Sequence, residues 1–312
     1  MKAGIAGLLG AIALFTAGYI VRWWTLERAR GRSGPVPPTP ADAWVVGRTP
    51  RFSDALTGFI ANFFDTLGIG SFAPTTAYFK LRARMPDEQI PGTLVCGHVL
   101  PTVTQGLIFI ATVAVDLTTL ISMVLAAVLG ALLGAPLVAR LSRRAIQFGM
   151  GGALMCAAVL FLASNMHWMP GGGEALGVSG ATLVFAVTVN LVLGALMMLG
   201  VGLYAPCLVL LSLLGMSPLA AFPVMMGSCG LLMPIGAAGF VRSGRYNMGA
   251  ALGLALGGIP GVLVAAYIVK SLPLAWLRWL VLIVVLYAAV QMLRSGLQRS
   301  GQELPAGEAP TP

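Results

Sequence analysis

Most of this chain consists of long apolar segments separated by short polar loops. Continuous apolar runs cover residues 3–21, 91–114, 117–140, 144–164, 222–241, 247–269 and 275–293. An α-helix rises about 1.5 Å per residue, so each run is long enough to cross a bilayer core about 30 Å thick. The pattern predicts an all-α polytopic membrane protein.

Two further apolar segments, 53–80 and 181–212, each contain a predicted helix break. The first break reads LGIGSFAP over Leu67–Pro74, and the second reads LGVGLYAP over Leu199–Pro206. In a helix interior, glycine costs about 1 kcal/mol and proline about 3 kcal/mol. Irregular backbone persists at membrane depth only where it is buried in protein or lines a wet cavity. Paired breaks in two halves of a chain therefore indicate a transporter binding site.

The two breaks belong to an internal repeat. When Leu67 is aligned with Leu199, the two breaks match without a gap, and the same offset also aligns Pro74, Pro86 and Pro91 with Pro206, Pro218 and Pro223. We predict an N-terminal transmembrane helix (1–24), a Pro-rich loop (25–52), a first transport repeat (53–164), an external loop (165–180), a second transport repeat (181–294) and a disordered tail (295–312).

The distribution of Lys and Arg favours broken segments that enter and leave on the same side of the membrane. If both are re-entrant hairpins, every Lys and Arg except Lys2, Lys270 and Arg278 falls on one side, as the positive-inside rule expects. This arrangement makes the two halves inverted repeats that meet near the bilayer midplane.

Composition excludes a soluble protein. The 312 residues are 58% hydrophobic and only 9% charged, whereas a soluble domain carries about 25% charged residues. The net charge of +9 lies in short loops, which is typical of topology signals and lipid headgroup contacts and argues against nucleic acid as a partner. The cysteines have no partners at metal-binding spacing and no catalytic motif is present. We therefore predict no enzyme activity, no metal and no cofactor.

Asp65 is the one acidic residue of ten that lies in the interior of an apolar segment, away from its ends and just before the first break. Intramembrane carboxylates are expensive and usually face a cavity or a partner. The residue is a candidate for proton coupling, and capping of the second half-helix is an alternative that does not exclude it. The repeat aligns Asp65 with Met197, so any acid role belongs to the first half alone.

His98 is the histidine expected at membrane depth. Its two interpretations are a hydrogen-bonded structural residue and, together with Asp65, a proton-coupling pair.

The candidate substrate site is built from polar and glycine positions around the two breaks. Free backbone amides and the positive dipole end of the half-helix after each break suit an anion, and hydroxyl groups add donors. Helix capping by these hydroxyls is the alternative. The candidates are Asn62, Gly68, Gly70, Ser71, Thr75 and Thr76 in the first half, and Gly200, Gly202, Tyr204, Cys207 and Ser228 in the second.

At these residues the chain resembles the sulfite exporter TauE/SafE family of membrane transporters, in which two repeats each open with a Gly-rich broken segment ending in proline. Leu67–Pro74 and Leu199–Pro206 take those places, and Ser217–Ala221, Ser243–Arg245 and Gly257–Val264 also fit. The resemblance covers roughly residues 53–293. The family often has three glycines at the break, where this chain has GSF and GLY, and Asp65, Thr75, Thr76 and His98 suggest a divergent branch.

The resemblance implies a secondary transporter for a small anion such as sulfite, an organosulfonate or a related sulfur-containing organic acid. We expect alternating access, with proton coupling through Asp65 and His98, in a bacterial inner membrane. A passive anion channel and a non-transporting membrane scaffold or assembly factor are the alternatives. A homodimer is left open.

Overall fold

A computed structural model describes residues 2–32, 49–82, 84–85, 89–134, 173–197, 202–271 and 273–298, together with stretches of one to three residues between 148 and 166. The helices are α1 (Lys2–Arg32), α2 (Phe52–Thr66), α3 (Phe72–Leu81), α4 (Ile90–Thr112), α5 (Leu117–Leu129, continued by a π-helical turn, Gly130–Gly134), α6 (Gly180–Met197), α7 (Tyr204–Leu213), α8 (Pro218–Ser243), α9 (Met248–Ser271) and α10 (Leu274–Gln298). Within these ranges there is no β-strand, and one isolated bridge joins Ala175 and Met216.

The helices confirm the prediction of an all-α multi-pass membrane protein. Five of those described are long and apolar enough to cross a membrane: Gly4–Ala29, Ile90–Thr112, Gly180–Met197, Pro218–Ser243 and Met248–Val269. Both helix breaks also lie where the sequence predicts them, since α2 ends at Thr66 and α3 begins at Phe72, while α6 ends at Met197 and α7 begins at Tyr204.

Two helices are longer than the predicted segments. The first helix continues to Arg32 instead of ending at residue 24, and the last continues to Gln298 instead of ending at residue 294. Glu, Arg and Ala are good helix formers, and the Arg28 guanidinium lies 4.3 Å from the centre of the Trp24 ring one turn earlier. The rest of the Pro-rich loop (33–48), most of residues 135–172 and the tail from 299 lie outside the described residues.

Helices α4 and α8 form the centre of the molecule. The rings of Phe109 and Phe222 stack with centroids 5.3 Å apart. Nearby, a Cβ atom on Gly106 would lie 3.1 Å from the carbonyl oxygen of Met226. Small residues therefore allow the two backbones to approach closely.

Each broken segment also packs against a helix through glycine. Helix α2 packs on α9, where a Cβ atom on Gly257 would overlap the backbone of Ala55. Helix α6 packs on α5, where a Cβ atom on Gly130 would overlap the backbone of Leu191. In both interfaces a main chain occupies the space that any larger residue would need.

The first broken segment doubles back on itself as a hairpin. Asp54, in the first turn of α2, accepts hydrogen bonds from Arg84 (Nη2 to Oδ2, 2.6 Å; Nε to Oδ1, 3.2 Å) and from the hydroxyl of Tyr78 (3.3 Å). Arg84 follows α3, so this ion pair joins the beginning of α2 to the end of α3. The Asp54 side chain is fully buried. We call residues 52–84 the first hairpin.

The second broken segment also doubles back. The amide of Ala175, before α6, donates to the carbonyl of Gly215, after α7 (3.3 Å), and the amide of Ser217 donates to the carbonyl of Ala175 (2.8 Å). Backbone hydrogen bonds therefore replace the ion pair. We call residues 175–217 the second hairpin.

Each hairpin has a tip, where its two helices are joined, and a base, where its two chain ends are held together. The two bases lie at opposite ends of α4. Thr93, near the beginning of α4, accepts a hydrogen bond from the amide of Asn247, and its hydroxyl oxygen lies 3.3 Å from the sulfur of Met85 beside the first hairpin. Asp116, after the end of α4, donates its amide to the carbonyl of Leu176 in the second hairpin (2.8 Å). The two hairpin tips consequently point toward the middle of α4.

Candidate functional site

The tip of the first hairpin is a turn built on left-handed glycines. Gly68 and Gly70 have φ angles of 97° and 91°, a region that side chains with a Cβ rarely adopt. The amide of Gly68 donates to the carbonyl of Asp65 (2.8 Å), and that of Ile69 donates to the carbonyl of Phe64 (3.1 Å). These bonds end α2 and turn the chain into α3.

The two half-helices after the breaks begin in the same way. The first helical hydrogen bond of α3 runs from Thr75 N–H to the carbonyl of Ser71, and that of α7 from Cys207 N–H to the carbonyl of Leu203. Proline is the third residue of each helix and has no amide proton. The first two amides of each helix thus lack a helical acceptor and carry the positive end of the helix dipole.

A cavity of about 190 Å³ lies between the two hairpin tips. Both breaks line it, and so do residues from α4, α8 and α10. The lining comprises Asp65, Gly68, Ile69, Gly70, Ser71, Phe72, Thr102, Met197, Gly202, Leu203, Tyr204, Ala205, Pro206, Cys229, Met233, Tyr287, Ala288, Gln291 and Met292. The amino ends of α3 and α7 are therefore directed at one small space.

A buried hydrogen-bonded chain connects the two tips behind the wall of the cavity. Gln105 of α4 donates through Nε2 to Oδ2 of Asp65 (2.9 Å) and accepts through Oε1 from the hydroxyl of Tyr204 (2.6 Å). Gln105 is fully buried, and the side chain of Asp65 is almost so. Ser71 also lies against the Asp65 carboxylate, through its hydroxyl and its backbone amide.

His98 belongs to a separate network. Its Nδ1 lies 3.1 Å from Oδ1 of Asn62, and its Nε2 lies 3.2 Å from the hydroxyl of Thr75. None of these three side chains lines the cavity. The ring of Phe72 does, and its centroid lies 5.8 Å from that of His98 on the other side. Asp65 and His98 share the first hairpin without contacting each other in the interactions that the structure describes.

The other candidate positions divide in a similar way. Among them, Gly68, Gly70, Ser71, Gly202 and Tyr204 line the cavity, whereas Thr76, Cys207 and Ser228 do not. Ser228 is hydrogen-bonded to Asn190 (3.3 Å), whose side chain also donates to the carbonyl of Met123 (2.7 Å). Gly200 lies outside the described residues.

Several cavity or network residues were missed at the sequence level. Gln105 is an amide inside the predicted span 91–114, and Gln291 is an amide inside the predicted span 275–293. Each interrupts an apolar run, and this signal could have found them. One wall also carries sulfur, because the Cys229 thiol lies 3.5 Å from the sulfur of Met197 and both line the cavity with Met233. Nothing in the sequence pattern indicated that these helices meet there.

Paired breaks, half-helix amino ends and a central cavity are features typical of multi-pass membrane transporters. The sequence matches the family model described as Sulfite exporter TauE/SafE over residues 2–161, about half of the chain. The chain belongs to this family, whose members transport sulfur-containing anions across membranes, and the resemblance noted from the motifs is confirmed. The match includes α1, which the motif comparison left out, and ends before the second break. No match was found among curated proteins or among solved structures.

Proposed function

We propose that the protein moves a small sulfur-containing anion, such as sulfite or an organosulfonate, through the cavity between the hairpin tips by alternating access. The observation that carries this proposal is the meeting of two half-helix amino ends at one cavity. Their free amides and dipoles favour an anion there without any cationic side chain. Ser71 and Tyr204, which line the same cavity, add hydroxyl groups.

We further propose that transport is coupled to a proton carried by Asp65. Asp65 and the anion would share a cavity of about 190 Å³. Two unit charges about 6 Å apart repel by roughly 3 kcal/mol at an effective dielectric constant of about 20. Anion binding and protonation of Asp65 are therefore thermodynamically linked. His98 remains a second candidate for coupling, although it lies behind Phe72.

The pairing of the hairpins supports inverted repeats as the basis of alternating access. Under the offset that aligns Leu67 with Leu199, α4 corresponds to α8, α2 to α6 and α5 to α9. The corresponding helices α4 and α8 pack on each other, while α2 packs on α9 and α6 packs on α5. Each hairpin is thus held by the other repeat, an exchange that a two-fold relation between halves would produce.

A flux assay with purified protein in proteoliposomes tests the proposal. We expect saturable uptake of sulfite, and also of sulfoacetate or taurine if the site accepts organosulfonates. This uptake should require a pH gradient and should fail in Asp65→Asn. A non-sulfur carboxylate measures selectivity. Asp116→Asn is the matched control, because Asp116 caps α5 away from the cavity and Asn caps helices about as well as Asp.

Three outcomes would contradict parts of this proposal. Flux that rises linearly with concentration would indicate a passive channel. Gradient-dependent flux that survives in Asp65→Asn would show that Asp65 does not carry the coupled proton. Absence of flux for every anion, in protein that is folded and correctly inserted, would refute the anion transporter itself.

A further inference from the structure

Gln105 occupies the point where the two repeats exchange hydrogen bonds. Its Nε2 donates to Asp65 Oδ2 (2.9 Å) and to Thr66 Oγ1 (3.0 Å), and its Oε1 accepts from Tyr204 (2.6 Å). The amide therefore connects the first hairpin to the second through a helix that belongs to neither. It does not line the cavity.

The charge of Asp65 determines which way this amide faces. An ionised carboxylate can only accept hydrogen bonds, so the NH₂ group of Gln105 must face it. The Oε1 atom then faces Tyr204, whose single hydroxyl proton is committed to that bond. In this state Tyr204 presents only lone pairs to the cavity, and it cannot donate to an anion.

Protonation of Asp65 makes the opposite orientation available. A carboxylic acid has an O–H donor, which can bond Oε1 after the amide rotates by half a turn. Thr66, which now donates to the carbonyl of Asn62 (2.8 Å), can turn its hydroxyl to Oε1 as well. The NH₂ group then faces the oxygen of Tyr204 and donates to it. The hydroxyl proton of Tyr204 is released from Gln105 and can turn toward the cavity.

We propose that Gln105 is an amide relay, which reports protonation of Asp65 in the first hairpin to Tyr204 in the second by reversing its orientation. The proton itself enters from the cavity and stays on Asp65. Every other hydrogen stays on its own atom, and only the directions of the bonds change. The inference deepens the proposed function and rests on it in one respect, namely that the freed Tyr204 hydroxyl donates to the transported anion.

No other charged side chain competes for this role among the described residues around the cavity. The other side chains with hydroxyl or thiol groups that can titrate there are Tyr204 of α7, Cys229 of α8 and Tyr287 of α10. Of the helices packed against α2, α4 contributes His98, which is bonded to Asn62 and Thr75. Helix α3 contributes Tyr78, which is bonded to Asp54.

The relay occurs once in the molecule because the second repeat lacks its parts. The repeat aligns Asp65 with Met197 and Gln105 with Ala237. Neither counterpart can donate or accept through its side chain as the first-repeat residues do. The relay therefore couples one protonation site, in the first hairpin, with one hydroxyl, in the second.

Infrared difference spectroscopy of the full-length protein in lipid tests the relay without any anion. Between high and low pH we expect a carboxyl band from Asp65 together with changes in a glutamine amide band and, with isotopically labelled tyrosine, a Tyr204 band. All three changes should vanish in Asp65→Asn. In Gln105→Met the carboxyl change should remain and the tyrosine change should vanish.

Two variants guard against trivial explanations. Tyr204→Phe should keep the carboxyl and amide changes while losing the tyrosine band, and it remains informative if Gln105→Met does not fold. Thr104→Val is the control for substitution on α4, because Thr104 donates to the carbonyl of Leu100 in its own helix. A tyrosine change that persists in Gln105→Met, or an amide band that is insensitive to pH in wild type, would overturn the relay.

Sulfite affinity as a function of pH provides the second measurement. We expect wild-type binding to weaken as pH rises, and Tyr204→Phe and Gln105→Met each to weaken low-pH binding about tenfold, as loss of one hydrogen bond to a charged group would. They should also make the pH dependence shallower, and the part that remains would come from direct repulsion between the anion and ionised Asp65. Wild-type protein that binds no sulfite would refute the proposed function and the role given to Tyr204. Normal pH dependence in Gln105→Met would refute the relay alone.

Discussion

The two hairpins reach one cavity from opposite ends of α4, but different chemistry closes them. In the first hairpin, the side chains of Asp54 and Arg84 form a buried ion pair. In the second, the backbone of Ala175 pairs with the segment after α7. The repeat aligns Arg84 with Met216, and Met216 is the partner of Ala175 in the isolated bridge. One pair of equivalent positions thus takes part in closing both hairpins, although the partners and the chemistry differ.

The interiors of the two hairpins also differ in polarity, and the first is the more polar. The first contains buried Asn62, Asp65, Thr66, Ser71 and Thr75, with His98 packed against it. At the aligned positions of the second stand Gly194, Met197, Leu203 and Cys207, while the residue aligned with Thr66 lies outside the described ranges. Both halves kept the backbone break and the proline. The polar groups that could respond to protonation are concentrated in the first hairpin, so the comparison separates a shared scaffold from a specialised chemistry.

Removal of Arg84 should have the largest effect. Arg84→Met leaves the fully buried Asp54 without its cation, which costs about 3–5 kcal/mol when one partner of a buried pair is removed. Unfolding titrations in detergent micelles measure the change. Asp54→Asn/Arg84→Met should recover part of the loss because no charge remains buried.

Arg82→Met is the control for this experiment, since Arg82 is exposed at the end of α3 and should change stability by no more than about 0.5 kcal/mol. If Arg84→Met were as stable as wild type, the ion pair would not hold the first hairpin closed. The proposed contrast with the second hairpin would then be lost.

The glycine contacts test what the two hairpins share. Gly257→Ala would push a methyl group into Ala55 beneath the first hairpin, and Gly130→Ala would push one into Leu191 beneath the second. Overpacking of this kind costs about 1–3 kcal/mol, so both variants should unfold more easily by similar amounts. Gly10→Ala, where the added atom meets nothing within 4 Å, should be neutral or slightly stabilising. A loss in only one of the first two would show that the interfaces are not equivalent.

Alanine at the two tips should give the smallest and most discriminating difference. Gly70 has a φ of 91°, so Gly70→Ala should cost about 1–2 kcal/mol from left-handed backbone alone. Gly202 is not in that region, and nothing lies within 4 Å of an added Cβ. Gly202→Ala should therefore stay close to wild type in the same titration, within the roughly 0.5 kcal/mol typical of substitutions that disturb no packed or strained feature. Equal losses would mean that the two breaks have the same backbone requirement.

The elements that sequence reasoning placed correctly all depend on local chemistry. Two closely spaced glycines followed by a proline disfavour a helix through local chemistry, so Leu67–Pro74 and Leu199–Pro206 were recognisable without any knowledge of their neighbours, whereas the single Pro101 stays inside α4. The helix ends were less certain. Polar residues such as Glu27 and Arg28 are as compatible with a continued helix as with a loop. The pattern therefore did not show that α1 extends to Arg32.

The sequence by itself determined an all-α membrane protein with two matching helix breaks and one acidic residue beside the first break. These features depend on the length of apolar runs, on helix-breaking residues and on the cost of burying a charge, which are all properties of short segments. Only the tertiary structure decided that Asp65 bonds Gln105 while His98 bonds Asn62 and Thr75. It also decided that α10 lines the cavity and that Asp54 finds Arg84. A helical pattern indicates which face of a helix is apolar, but the partner across that face depends on how separate helices pack, and no local pattern encodes that choice.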